Sequence, residues 1–549
     1  MSTPGIVRKN ISVWKEVFLL GLLLFGIGWV HGFFLREGHG WGDDFAQYLM
    51  HAKNLAEGRP YSQTGYIYNP HYPQLGPPAY PPGTAVLLAP VYWVWGLNWA
   101  ALKGAMIACW IAFLAILAMY FRQVLFLPVR FLLLALIGLN HFFLDQTNTI
   151  GSDLPFLVWV YFTLFLAEQA DRAEPQPYPR QRTDGEPFQD HLPQAGADAL
   201  PHDLQQAEAR NLPGPAVWHW AAAWAAWAAF ATRTVGLILW PAILLAHWFR
   251  YRRIRPSLVW ATGLFGLLAA AQTLAIPETS GYLDQFSVHP GVWVRHTVQY
   301  ARQWAAFWGN DFSKLLTGTL AICVSGLALM GYCRQCRKGV SVREIFAILY
   351  GASVVIWPSY QGFRMLDPLM PLGLFYAWKG LEPTGQNRWG RIRLAGAAGL
   401  AGAILLCYGN LLLSRPTGPL PEGIGRPASQ QLFEAVRQHT QREDVLIFIK
   451  PRALALLTSR RCSVYHRVQE DGDLWAYFQK IHATSMVVVR RPETMQGAED
   501  LETVRFLAHF AARNQPYLQH IWANEDFALY RIASWPGHQE TISRRPLQQ

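Results

Sequence analysis

Two adjacent acidic residues, Asp43 and Asp44, precede an amphipathic stretch in the run GWGDDFAQYLMHAKNLAEGRPYS. Ala46, Leu49, Met50 and Ala52 to Leu55 recur at helical spacing, which sets the pair at the start of a helix. A carboxylate there has two uses. It can cap the free amides of the first turn and gain from the helix dipole. It can also take a proton from an attacking hydroxyl, the task of a general base. The preceding apolar run, Val17 to Leu35, is long enough to enter a bilayer, so the pair is held close to lipid headgroups. A third acidic residue, Asp153 in SDLPF, opens another apolar run. An acid at that depth is costly unless paired, hydrated or functional, although Ser152 and Asp153 ahead of Leu154-Pro155 also stand in capping order.

The elements that must position these groups are membrane spans. The 549 residues are 52% hydrophobic and 15% charged, well below the charged share of a soluble domain. The 24 Trp suit interfacial belts. A net charge of +11 does not imply nucleic acid, because the basic residues fall in short clusters beside apolar runs. Spans are expected near 14–35, 98–121, 128–144, 153–170, 216–232, 235–249, 257–275, 312–332, 343–358, 364–379 and 394–413, about eleven in all. The first has no small-residue cleavage site after it and reads as an uncleaved helix. Every second connection is basic: Arg8, Lys9 and Lys15; Arg122 and Arg130; Arg250, Arg252, Arg253 and Arg255; Arg334, Arg337 and Lys338; Lys379, Arg388, Arg391 and Arg393. Those connections are therefore expected in the cytoplasm, with the N-terminus, and the C-terminal part outside.

The expected organisation is a polytopic α-helical membrane domain, 1–413, followed by a small extracytoplasmic α/β domain, 414–549. Within the first lie an outer segment with surface helices (36–83), a Pro- and Gln-rich cytoplasmic insert (171–215) expected to be disordered, and an outer loop (277–311). In the tail, 444–450, 485–491 and 527–532 read as strands, and 429–440, 472–482 and 500–513 as amphipathic helices. Cys333 and Cys336 form a CxxC without the second pair that a zinc site needs, and no Walker loop or dinucleotide fingerprint occurs.

The Asp-Asp pair after the first span, Tyr48, the EGRPY run and the Pro81-Pro82 segment opening a second surface helix together resemble the GT-C glycosyltransferases. The similarity is to bacterial relatives of dolichyl-phosphate-mannose protein mannosyltransferases and of aminoarabinose transferases. SDLPF (152–156), RTVG (233–236) and GFRMLDPLMPL (362–372) extend it over residues 14–413. The resemblance implies a GT-C fold and sugar transfer from a polyprenyl-phosphate donor to an acceptor hydroxyl, the acceptor being protein, lipid or glycan. It implies Asp43 as catalytic base, Asp44 as its acidic neighbour and Asp153 as a second acidic position facing the same cavity. The departing phosphate calls for cations, and Arg233 and Arg364 are expected to grip it, with Arg295, His296 and Arg302 as weaker candidates. Tyr48 and Tyr80 are expected to contact substrate; Tyr80 stands where some relatives carry a Lys before the Pro pair. A divalent ion between Asp43 and Asp153 is left open, since the family is divided on metals. The rivals are a transporter or flippase for a lipid-linked substrate and a non-catalytic envelope assembly protein. The first would need charge near the bilayer midplane, whereas here it gathers at the outer surface.

Overall fold

The computed structural model describes residues 13–174, 213–277, 290–309, 313–382, 389–495 and 501–536. Residues 175–212, the bulk of the expected insert, and His289 of the expected outer loop lie outside them. A helix stands at each of the places where a span was expected. Five of these helices are long and apolar enough to cross a membrane: Val13–Phe33, Trp99–Tyr120, Pro256–Ala275, Lys314–Lys338 and Ala395–Leu413. Leu127–Gly138 and His141–Thr147, bent by 60° at a short break, make a sixth if taken as one span. The chain is an integral membrane protein.

The remaining helices, Asp153–Ala173, Pro215–Thr232, Leu239–Tyr251, Val342–Ile356 and Met370–Leu381, are shorter or more polar. They pack on one another and on the longer helices, while several of their large apolar side chains, among them Trp220, Trp224 and Ile348, stay exposed. Most of Met370–Leu381 is buried, and it lies directly on Lys314–Lys338. Gly331 and Gly380 make this closeness possible, because a methyl group on either would strike the backbone of the opposite helix.

The tail builds a six-stranded mixed sheet in the order β1-β3-β2-β4-β6-β5. The strands are β1 (Tyr66–Ile67), β2 (Val445–Ile447), β3 (Arg461–Ser463), β4 (Ser485–Val489), β5 (Leu518–Ala523) and β6 (Phe527–Ile532). The strands expected from sequence are β2, β4 and β6. The helices expected beside them are Pro427–His439, Asp471–Lys480 and Leu501–Arg513.

The edge strand β1 comes from the segment 36–83, far ahead of the tail in sequence. It runs parallel to β3, with Tyr66 opposite Cys462 and Ile67 opposite Ser463. The Cys462 amide donates to the Gly65 carbonyl at 2.8 Å, and Asn69 Nδ2 donates to the Val464 carbonyl at 2.8 Å. Gly65 has no room for a side chain, since a Cβ would sit 2.8 Å from the Arg460 carbonyl oxygen. Trp41, just before the acidic pair, packs on Phe433, Phe448 and Phe527 at ring distances of 5.7, 5.7 and 5.8 Å. The segment 36–83 and the tail therefore share one core.

Candidate active site

Asp43 and Asp44 open the helix Asp44–Ala56, as their spacing from the apolar positions requires. Asp43 occupies the N-cap position, yet its side chain makes no capping bond. It turns toward the tail. Its Oδ1 accepts a hydrogen bond from the Ala453 amide at 3.1 Å, while Oδ2 stands 3.8 Å from Arg452 Nε and has no hydrogen-bond partner among the described residues. Burial raises its pKa above the usual carboxylate range, against the opposing pull of Arg452, Lys450 and the Ala453 amide.

Asp44 is in a different setting. Its carboxylate is 40% exposed, accepts from the Tyr80 hydroxyl at 2.5 Å and from Arg364 Nη1 at 3.1 Å, and pairs with Arg452 Nη1 at 3.4 Å. Burial pushes its pKa up, but Arg364, Arg452 and the Tyr80 hydroxyl outweigh that and hold it at about 2. Two neighbouring carboxylates are thus driven apart in proton affinity, the usual sign of a division of roles. Asp44 stays ionised and engaged; Asp43 is the better proton acceptor.

Asp153 is the first residue of Asp153–Ala173, and the N-cap Ser152 makes no side-chain cap. Two guanidinium groups meet the Asp153 carboxylate instead. Arg364 Nε donates to Oδ1 at 3.1 Å, and Arg233 Nη1 pairs with the same oxygen. Arg364 thereby joins Asp44 on one helix to Asp153 on another. Arg233 follows the last turn of Pro215–Thr232, with Nη2 3.4 Å from Met365 Sδ and its guanidinium carbon 5.9 Å from the Phe156 ring centre.

These side chains surround a cavity of about 770 Å³. Asp43, Asp44, Tyr48, Tyr80, Arg233 and Arg364 all line it, and Asp153 stands behind the two arginines. Tyr48 and Tyr80 pack together with ring centres 5.0 Å apart. The Tyr80 backbone is fixed from both sides: its amide donates to His51 Nε2 at 3.2 Å and its carbonyl accepts from the Tyr61 hydroxyl at 2.9 Å. Arg295, His296 and Arg302, on Pro290–Trp308, are not part of the wall.

The tail supplies two residues that sequence reasoning passed over. Lys450 lines the cavity, and Arg452, fully buried, stands behind the acidic pair. Arg452 also reaches the Tyr80 hydroxyl, and its guanidinium carbon lies 4.6 and 4.7 Å from the ring centres of Tyr66 and Tyr80. The available signal was KPRALALLT, in which Pro451 opens a short helix after β2. A third, Asp367 of GFRMLDPLMPL, accepts from Gln146 Nε2 at 2.6 Å beneath the same arginines.

The acidic groups converge on guanidinium groups and not on one another. Among the described residues Asp43, Asp44 and Asp153 do not form a group with metal-ligand spacing; one such group exists elsewhere, at Glu174, His219 and His247.

No protein-family model matches the chain, and no curated protein matches it in sequence. Solved structures do. The archaeal oligosaccharyltransferase AglB from Archaeoglobus fulgidus, in complex with an inhibitory peptide and a dolichol-phosphate, superposes with a TM-score of 0.54 at 10% identity, over 87% of this chain and 70% of that one. ArnT from Cupriavidus metallidurans bound to undecaprenyl phosphate gives 0.52 at 13% identity, over 95% and 98% of the two chains. Apo ArnT gives 0.53 at 12% identity, over 94% and 98%. The fold is that of the GT-C glycosyltransferases. Within this GT-C fold the likeness to ArnT extends over nearly the whole of both chains, the tail included.

Proposed function

We propose that this chain is an inverting glycosyltransferase that moves a sugar from a polyprenyl-phosphate donor to an acceptor hydroxyl at the outer face of the cytoplasmic membrane. One observation carries the reading: a single cavity is lined both by Asp43, whose Oδ2 accepts no hydrogen bond among the described residues, and by Arg233 and Arg364, the guanidiniums that pair with Asp153 and Asp44. Asp43 takes the acceptor's proton as its oxygen bonds to the anomeric carbon. The bond from that carbon to the phosphate oxygen breaks, and the phosphate leaves as an anion toward Arg233, Arg364 and Lys450. Tyr48 and Tyr80 present aromatic surface to the sugar. The lipid phosphates bound in the AglB and ArnT structures support a donor of this class.

The orientation fits the same proposal, with about eleven spans, domain limits at 1–413 and 414–549, and the tail outside. Contacts among described residues of the expected inner connections support that orientation. Arg130 Nη2 and Arg122 Nε pair with Glu16 at 2.8 and 3.3 Å, Lys379 Nζ donates to the Val124 carbonyl at 3.1 Å, and Arg334 Nη1 donates to the Gly380 carbonyl at 2.6 Å.

The test is direct. Purified protein is incubated with polyprenyl-phosphate sugars and envelope acceptors, and the products are read by mass spectrometry. Gain of one sugar on an acceptor with release of polyprenyl phosphate is expected; no donor turnover by folded protein across a panel of sugars would overturn the class. Arg364→Ala is expected to lower kcat/KM for the donor by about 10²-fold or more. Arg364→Lys should recover only part, because an ammonium cannot hold Asp44 and Asp153 together as the fork does. Unchanged donor kinetics in both variants would leave Arg364 as a purely internal ion-pair partner.

A further inference from the structure

The helices that carry the cavity residues also bring three ligand-type side chains together at their other ends. Asp153–Ala173 begins at the cavity and runs away from it to Glu174; Pro215–Thr232 runs back, from His219 in its first turns to Thr232 and Arg233 at the cavity; Leu239–Tyr251 leads away again to His247. Ligand-capable atoms of Glu174, His219 and His247 all lie within 4.8 Å of one another, and all three residues are buried. We propose that they form a zinc site at the end of the bundle opposite the catalytic cavity.

Three observations point to a ligand there and not to packing alone. First, two of the polar atoms are under-satisfied: His247 Nε2 and Glu174 Oε1 lack hydrogen-bond partners among the described residues. Arg255 forms an ion pair with Glu174 Oε2, which leaves Oε1 and the imidazole nitrogen without a bond that buried polar atoms nearly always make. Second, His219 and His247 border a cavity of about 10 Å³, which Asp171 also borders. That is about the space of one small ion or water. Third, His219 Nδ1 lies 2.9 Å from Ser257 Oγ. A metal-bound histidine ordinarily keeps such a partner on its second nitrogen, which fixes the ring for coordination.

Two imidazoles and one carboxylate suit a four-coordinate zinc ion, with the fourth place left to water. The acidic neighbour Asp171, 3.6 Å from Arg250, helps to balance the added charge. Arg255 is the competitor for Glu174. Its side chain is 30% exposed, so it can turn toward solvent or headgroups when the ion binds. The ion would thus join the end of Asp153–Ala173 to the first turns of Pro215–Thr232. The site stands apart from the sugar-transfer chemistry and does not depend on it.

The experiment uses full-length protein without an affinity tag, equilibrated with Zn²⁺, desalted and measured for metal by mass spectrometry. About one zinc per chain is expected in the wild type by the one-ion arrangement, and none in His219→Gln/His247→Gln. Ser257→Ala should weaken zinc binding by about 10–100-fold. Zn²⁺ should raise the Tm of chelator-treated wild type but not of the double variant. Cobalt loaded in place of zinc should show the visible bands of a four-coordinate site. Equal zinc in wild type and double variant, or no zinc and no Tm shift in the wild type, would overturn the proposal and leave Glu174 as the ion-pair partner of Arg255. If the double variant does not fold, Glu174→Gln and the cobalt spectrum of the wild type decide; lack of the four-coordinate bands overturns it equally.

Discussion

Asp43→Asn is expected to lower turnover by about 10²–10⁴-fold, the usual worth of a general base, with the protein still folded in the membrane. Asparagine keeps the shape, and its Oδ1 can still accept from the Ala453 amide, but it cannot take a proton from an acceptor hydroxyl. Stability should move the other way or not at all. Burial raises the folded-state pKa of Asp43 above the ordinary aspartate range, so its ionised form costs stability at neutral pH, and a neutral amide removes that cost. The stabilising contribution of a protonated Asp43 is present below its unfolded pKa and lost as pH rises through the folded one. Activity has the opposite dependence, since the base must be ionised. The acid limb of kcat/KM should therefore lie above the ordinary aspartate range and vanish from the residual rate of Asp43→Asn. Asp44→Asn should behave differently. Its pKa of about 2 means that its ionised form stabilises the fold above the unfolded pKa, so the variant loses stability at neutral pH. Turnover measured with a polyprenyl-phosphate sugar, alongside thermal unfolding, separates these cases. Wild-type turnover in Asp43→Asn would end its assignment as base.

The second large effect is at Arg452. This fully buried guanidinium faces Asp43 at 3.8 Å and Asp44 at 3.4 Å, bonds to the Tyr80 hydroxyl and donates to the Pro77 carbonyl at 3.3 Å. Removing one partner from a buried charge cluster typically costs about 3–5 kcal/mol, because the other charges are left uncompensated. Arg452→Ala is therefore expected to lower Tm sharply and to detach the tail from the acidic pair. Arg452→Lys keeps the charge but loses the fork and the stacking on Tyr66 and Tyr80, so recovery should be partial. A readout beyond stability is the acid limb: without the Arg452 cation the pKa of Asp43 rises further, and the limb moves to higher pH. An unchanged profile with unchanged Tm would make Arg452 a bystander.

The sequence disclosed the parts of the site that lie beside apolar runs. Asp43, Asp44, Asp153, Arg233 and Arg364 each mark the end of a helix, and an ionisable residue at such a boundary is costly enough to be visible without a structure. Helix positions were legible for the same reason. What periodicity could not give is contact across long sequence separation. β1 is two residues long, too short for any alternation to register. Arg452 lies in an eight-residue helix whose apolar residues read equally well as strand or core. Its role depends on packing against residues some four hundred positions earlier, and nothing in KPRALALLT points that far. The bridging of Asp44 and Asp153 by one arginine was hidden likewise, since charge type is written in the sequence and pairing is not.

The pairing of Ile67 with Ser463 sets an order in time as well as in space. A ribosome releases the acidic pair long before it reaches the strand and the arginine that enclose it. Until then the segment 36–83 has an unfilled sheet edge and two carboxylates in water, and closing so long a loop carries its entropic cost. The membrane helices can insert one after another while the cavity still lacks a wall. A chain cut short before Arg452 would fill the bilayer much as the whole protein does and yet hold Asp43 as an ordinary, hydrated acid. Synthesis of the last quarter of the protein is thus what turns a bundle of helices into a site.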